Sequence, residues 1–259
     1  MTYCVAIKVD SGLVFASDSR TNAGIDHVST YSKMHTFLWP GDRSFVLLSA
    51  GNLATTQLVV KRLRADAEAG IAPSLCTVPN LDAAVNYVGM VSTEVQRSQV
   101  ERDLQNTSFE ATFIFGGQIG SGPTGIFMVY PQGNYIHESA EHPFLQIGET
   151  KYGKPILDRV IRHDTPLELA GRCALVSLNS TIRSNLTVGP PIELLLYSSG
   201  TLIEGRRLSL TEADPFYHQV NDAWAEGLRR ALNSLPPFEW ESEIKMAQFV
   251  QDASPQQQY

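Results

Sequence analysis

Apolar residues fall in short blocks over the first fifty positions and in longer, helically spaced runs after them. Residues 3–9 and 12–17 read as two strands joined by the turn Asp10-Ser11-Gly12. Strands over 34–38 and 45–50 follow, with Pro40-Gly41-Asp42 as the turn between them. Asn52 is placed to cap a helix whose Leu53, Val60 and Leu63 share one face, and Gly70 ends it. A second helix is predicted over 81–101, with Ala84, Val85, Val88, Val91 and Val95 as its buried stripe.

The pattern then repeats in kind. Strands are predicted over 111–116, 125–130 and 135–137, with Pro131-Gln132-Gly133-Asn134 as a turn, and a helix over 151–162. Thr165-Pro166-Leu167-Glu168 reads as a capping box with proline at the first helical position, opening a helix to about Asn185. Strands over 192–197 and 202–208 precede a last helix from Asp214-Pro215 to about Leu235. From Pro236 the chain carries Pro and Gln and ends SPQQQY, which reads as a loose tail after one short helix. Strands and helices thus come in runs and do not alternate, which disfavours a parallel doubly wound sheet. The predicted fold is an α/β four-layer sandwich, α/β/β/α, with two antiparallel sheets flanked by helix pairs and the first strand in its middle.

Composition changes this picture little. At 259 residues, 43% hydrophobic and 18% charged, the chain is long enough and apolar enough for one large core. Its net charge of −7 argues against a nucleic-acid partner, because no basic surplus is available to replace phosphate counterions. The three cysteines, Cys4, Cys76 and Cys173, are far apart and form no CxxC, so reduced thiols and a cytoplasmic protein are expected. No basic segment precedes a long apolar run, so no signal peptide is expected. No run approaches the roughly 18–20 apolar residues of a membrane span, so no membrane partner is expected either. The six histidines show no HxxxH or HExxH spacing, and no glycine-rich loop with a lysine is present; neither metal nor cofactor is expected.

An apolar strand placed directly after Met1-Thr2 is unusual, since termini fray unless something holds them. If the methionine is removed, Thr2 carries a nucleophilic hydroxyl and its own base, an α-amine with an ordinary pKa of about 7.7–8.0. Asp18 closes the second strand, and Lys33 stands fifteen residues on at the entrance of the next. An Asp–Lys pair beside the amine would hold positive charge near it and favour the free base. Ser49-Ala50-Gly51-Asn52 falls where a strand passes into a helix, a place where backbone N–H groups and the helix N-terminus favour a developing oxyanion. Cys4 is an alternative nucleophile if processing removed three residues.

Thr2, Asp18-Ser19-Arg20, Lys33 and Ala50-Gly51 resemble, in order and spacing, the proteasome β-subunit family of N-terminal-nucleophile hydrolases as far as about Leu210. The start MTYCVAIKVDSGLVFASDSRTNAG resembles more narrowly the Anbu, or ancestral β-subunit, group of bacterial proteasome-like proteins. The resemblance implies a threonine nucleophile at Thr2, support from Asp18 and Lys33, and an oxyanion N–H at Gly51. It further implies a peptide substrate lying as an extended strand along Thr21 and Asn22, with Tyr31, Ser49 and Leu53 walling the first specificity pocket. Self-assembly into rings or open spirals is implied as well. So is a functional link to peptide-ligase and transglutaminase-like proteins, and through it a modified peptide as substrate. Residues 1–235 correspond to the catalytic domain, and residues 236–259 to an extension expected to contact neighbouring subunits.

Two stretches depart from the family pattern. Ile147-Gly148-Glu149-Thr150 matches a Gly-Ser-Gly segment, so Glu149 stands where a serine helps manage protons near the threonine. Ser184-Asn185-Leu186-Thr187-Val188-Gly189 matches Asp-x-x-Ser-Gly-Gly, so Ser184 replaces a carboxylate and Thr187 keeps a hydroxyl. A glutamate near the α-amine would favour its protonated, non-basic form. Three readings therefore stand beside one another: a threonine peptidase, an assembling scaffold with little or no activity, and an amidase of the same superfamily.

Overall fold

A computed structural model describes residues 1–22, 28–101 and 107–241. Its organisation follows from strands whose two faces are both covered. In β1 (Tyr3–Val9), Cys4 and Ala6 face one apolar layer, while Tyr3, Val5, Ile7 and Val9 face another. A strand buried on both faces has no reason to alternate apolar with polar residues, which is why the block is nearly continuous. The same holds for β2 (Gly12–Asp18), which is buried along its whole length.

The chain next forms β3 (Arg20–Asn22), β4 (Val28–Thr30), β5 (Met34–Trp39) and β6 (Arg43–Gly51), then helices α1 (Leu53–Glu68) and α2 (Leu81–Val100). Strands β7 (Ala111–Ile119), β8 (Gly125–Val129), β9 (Tyr135–His137) and β10 (Phe144–Gly148) lead into α3 (Lys154–Val160) and α4 (Leu167–Ser184). Strands β11 (Ile192–Ser198) and β12 (Arg206–Leu210) and helix α5 (Pro215–Asn233) close the order. One sheet has the order β10-β1-β2-β11-β12, the other β5-β6-β7-β8-β9, and all of their neighbours pair antiparallel.

Three apolar layers hold four structural layers together. Between the sheets, Cys4, Ala6, Leu13 and Phe15 meet Met34, Val46, Leu48 and Ile114. Outside the first sheet lie Leu157 of α3, Ala170, Ala174 and Leu178 of α4, and Tyr217 at the start of α5. Outside the second lie Val59 and Leu63 of α1 and Val85, Val88 and Val91 of α2, packed on Phe45, Phe113 and Phe115. The expected α/β/β/α sandwich is what forms. The chain divides into two units, Met1–Val220, which holds both sheets, and Asn221–Tyr259. In the second unit Phe238 and Trp240 stack with centroids 4.5 Å apart. Residues 242–259, most of the expected tail, lie outside the described residues.

Several expectations need correction. The helix expected over 151–162 shortens to α3, because Ile161 turns extended (φ −81°, ψ 128°). The Thr165 capping box does not form. Pro166 is the N-cap of α4 with no side-chain bond, and the Thr165 hydroxyl instead accepts the Arg162 N–H at 2.9 Å, closing the α3–α4 turn. The last strand starts at Arg206 and not at Leu202, since Leu202 sits in a left-handed turn with φ 47°. Strands β3, β4 and β10 were not foreseen. Among them β10 matters most: it covers the outer edge of β1, with Tyr3 opposite Gly148, so the chain start lies inside a sheet.

The inter-sheet layer carries the sandwich, and Phe15, with no exposed surface, is its largest side chain from β2. Phe15→Ala is expected to cost about 3–5 kcal/mol of stability. Urea denaturation measures it, and a loss under about 1 kcal/mol would mean that the two sheets do not depend on this layer.

Candidate active site

Thr2 is held by its backbone. The Glu149 N–H donates to the Thr2 carbonyl at 2.7 Å, and Gly148 adopts φ 85° to allow it. A Cβ on Gly148 would lie 1.9 Å from that carbonyl oxygen, so the strand end can approach Thr2 only with glycine there. One residue further on, the Tyr3 N–H donates to Asp18 Oδ1 at 3.0 Å. Asp18 ends β2 with 0% exposure, and Lys33, 7% exposed, donates from Nζ to the same oxygen at 2.7 Å. Lys33 Nζ also donates to the Arg20 carbonyl at 2.8 Å, and the Gly189 N–H reaches Asp18 Oδ2 at 3.3 Å. Every partner of the Asp18 carboxyl is a donor, the pattern an ionised carboxylate requires.

The electrostatics follow from this burial. The α-amine of Met1 is pushed below its ordinary value, first by burial and then by the Lys33 charge, with Asp18 opposing. The Asp18 carboxyl is pushed up by burial, against the pull of Lys33 and of the Tyr3 and Gly189 N–H groups. The ammonium and the chain start thus share one positively biased pocket, in which a free amine is favoured over its charged form.

Both face a cleft of about 390 Å³. Thr21, Tyr31, Ser49, Leu53 and Gly51 line it together with Thr2 and Lys33, so the sequence brought most of its candidates to one place. Asn22 lies in β3, its backbone paired with Val28. Gly51, with φ 111°, is forced to be glycine by the Glu110 carbonyl, which a Cβ would meet at 2.4 Å. It precedes Asn52, whose side chain accepts the Thr55 N–H and caps α1, so the helix N-terminus opens beside the cleft. Ser49 is tied to Lys33 by its own N–H, which donates to the Lys33 carbonyl at 3.0 Å.

The second-half candidates are arranged differently. Glu149 adjoins Thr2, and its Oε2 accepts the Asn185 amide at 3.2 Å. Asn185 Oδ1 in turn accepts the Thr187 hydroxyl at 2.6 Å. Ser184 ends α4 exposed, and it is the adjoining Asn185 that joins Glu149 to Thr187. Asn185 was missed because a residue next to a motif position carries no signal of its own. Cys4 is fully buried between the sheets, with its thiol pushed up by burial, which removes it as a nucleophile. His35 and Gln57, both lining the cleft, were also missed. The signal for His35 was available: Met34 faces the inter-sheet layer and Phe37 the helix-side layer, so His35, two residues before Phe37, takes the helix side.

Paired helices outside two stacked antiparallel sheets, with the chain start inside one sheet and turned to a cleft, are the fold class of proteasome β-type subunits. The family model described as Proteasome subunit matches residues 2–195. Anbu from Yersinia bercovieri is 42% identical, covers 92% of this chain and 99% of its own, and superposes with a TM-score of 0.84. The Anbu complex from Pseudomonas aeruginosa, described as a helical assembly, is 47% identical over 91% of this chain and 98% of its own, with a TM-score of 0.86. An Anbu (Gly-1) mutant from Hyphomicrobium sp. strain MC1 is 42% identical over 92% and 100%, with a TM-score of 0.85. No curated protein matches the chain. The chain belongs to the proteasome subunit family and, within it, to the Anbu group.

His35 gives the site a pH signature. Burial, with Arg64 and Arg207 adding to it and Glu193 opposing, lowers its pKa from the ordinary 6.5 to about 4. Because the folded value is depressed, the unfolded chain takes up a proton first, and stability is lost as pH falls from about 6.5 to about 4. Urea titrations at pH 7 and pH 4.5 should show this loss shrinking in His35→Gln. An unchanged loss in that variant would contradict the assignment.

Proposed function

We propose that the chain is an N-terminal threonine hydrolase of peptide or amide bonds that works as a self-assembled homo-oligomer. The observation that carries this reading is the meeting of Thr2, held by the Glu149 N–H, with the buried Asp18–Lys33 pair at one cleft. With Met1 removed, the Thr2 amine takes the hydroxyl proton and the Oγ attacks the substrate carbonyl. Lys33 keeps the amine unprotonated and steadies developing charge, and Asp18 holds Lys33 in position. The Gly51 N–H, at the mouth of α1, receives the oxyanion. Thr21 and Asn22 in β3 offer the edge along which an extended substrate pairs, and Tyr31, Ser49 and Leu53 wall the pocket for its first side chain.

A second reading, an assembling scaffold with little turnover, is favoured by one observation. The segment whose N–H holds the Thr2 carbonyl carries the Glu149 carboxylate, bound to the Asn185 amide, and no hydroxyl at that position to pass protons to and from the amine. Comparing Met1-free protein, Met1-retaining protein and Thr2→Ala on fluorogenic peptides separates the readings. We expect hydrolysis only in the first, with an acid limb below the ordinary amine pKa of about 7.7–8.0, and unchanged assembly in all three. Lys33→Ala should lower turnover at least about 100-fold. Equal rates with and without Met1, or a near-normal rate in Lys33→Ala, contradict the hydrolase.

The helical assembly of the Pseudomonas aeruginosa relative supports association of this chain with its own copies. We propose that residues 1–235 form the hydrolase domain and that residues 236–259 contact a neighbouring subunit and bias rings against open spirals. Light scattering of the chain ended at Leu235 tests this. Smaller or differently closed assemblies are expected, and assemblies identical to those of the full chain would contradict it.

A further inference from the structure

The cleft has a polar wall, His35 and Gln57, backed by positive charge in a chain whose net charge is −7. His35 and Gln57 line the cleft and also line a second cavity of about 460 Å³ between β5 and α1, so they form the wall between the two. Leu53, Gln57, Lys61 and Arg64 recur at helical spacing along the face of α1 that follows this line. Behind the wall stand Lys61 and Arg64, with Glu68 as the acidic residue of that lining. Arg64 lies across β5 beside His35: its guanidinium is 5.0 Å from the Phe37 ring centroid and donates to the Thr36 carbonyl at 3.5 Å. Arg20 adds a further positive charge to the cleft itself. The other charges nearby are neutralised in pairs, Lys33 by Asp18 and Glu193 by Arg207.

From this arrangement we infer that the cleft selects a substrate with an acidic side chain, glutamate above all, at the residue whose carbonyl Thr2 attacks. The inference rests on the hydrolase reading for the attack and on the cleft alone for the selection. Tyr31 and Leu53 flank the methylene groups of the entering side chain. Its carboxylate accepts from the Gln57 amide and from a ring N–H of His35, within the field of Arg64 and Lys61. A leucine in the same place makes no hydrogen bond to the Gln57 amide or to His35 and gains nothing from the field of Arg64 and Lys61. A lysine or arginine meets like charge from Arg20, Lys61 and Arg64.

The test measures binding separately from turnover. Acetylated tripeptide amides ending in Glu, Gln, Leu or Arg are titrated into the full chain with Met1 retained. The Glu peptide is expected to bind at least about tenfold more tightly than the Leu and Arg peptides, the scale a single specific contact supplies. Arg64→Glu, a change at an exposed position, is expected to erase that preference, and Lys61→Glu to weaken it. Equal or tighter binding of the Leu or Arg peptide, no binding by any of the four, or a preference that survives Arg64→Glu overturns the inference. The same four peptides, as fluorogenic amides, are then given to Met1-free protein. Selective binding without cleavage keeps the pocket and contradicts the hydrolase, whereas cleavage without preference for Glu keeps the hydrolase and overturns the pocket.

Discussion

A carboxylate with no exposure to water stands at the end of β2, and three separate pieces of chain are arranged around it. Burying such a charge unpaired is prohibitive, and removing one partner of a buried pair typically costs about 3–5 kcal/mol. Asp18 is satisfied only because β1 offers the Tyr3 N–H, the approach to β5 offers Lys33, and the segment after α4 offers the Gly189 N–H. Those three donors come from a strand, from the segment before β5 and from the segment between α4 and β11. The register of β1, the position of Lys33 and the course of the chain near residue 189 are therefore coupled through one side chain. Whatever displaces any of them also displaces the start of the chain.

This coupling explains why Thr2 is part of the structure and does not fray from its end. The first ordered donor after it, the Tyr3 N–H, is fixed by Asp18, and its own carbonyl is fixed by Glu149. The chain start lies between β10 and β2, an internal position in its sheet. The Glu149–Asn185–Thr187 chain of hydrogen bonds ties the segment after α4 to the residue whose N–H holds the Thr2 carbonyl. At the chain start itself, burial and the Lys33 charge act against Asp18 on the state of the amine.

Much of the architecture was legible because buried strands write themselves as apolar blocks. β1, β9 and the start of α2 fall where the pattern puts them. The three-residue strands β3 and β4 were not legible, since segments that short have no periodicity, and β10 was hidden because Phe144-Leu145 is a brief apolar signal among polar neighbours. Thr165 illustrates a different failure: its hydroxyl suits a cap, but the turn from α3 competed for it and won. In the site, Asp18, Lys33 and Gly51 were readable through their order along the chain, and the cleft joins Lys33 and Gly51 to Thr2. His35 could have been placed from strand alternation alone, whereas Asn185 and Gln57 could not, because their roles depend on which turn of a helix end or face points inward and on partners from another segment, such as Glu149 for Asn185. Charge told the same story: a global −7 conceals the local excess of Arg20, Lys61 and Arg64.

The central claim is that one residue supplies both nucleophile and base. A peptide epoxyketone tests it most directly, since it closes a ring only with a hydroxyl and a free amine on the same residue. Intact mass and peptide mapping after treatment of Met1-free protein are predicted to show one adduct per chain, joined to Thr2 through both Oγ and nitrogen, and none in protein that retains Met1. An unmodified Thr2, or an adduct formed equally well with Met1 in place, would contradict the account.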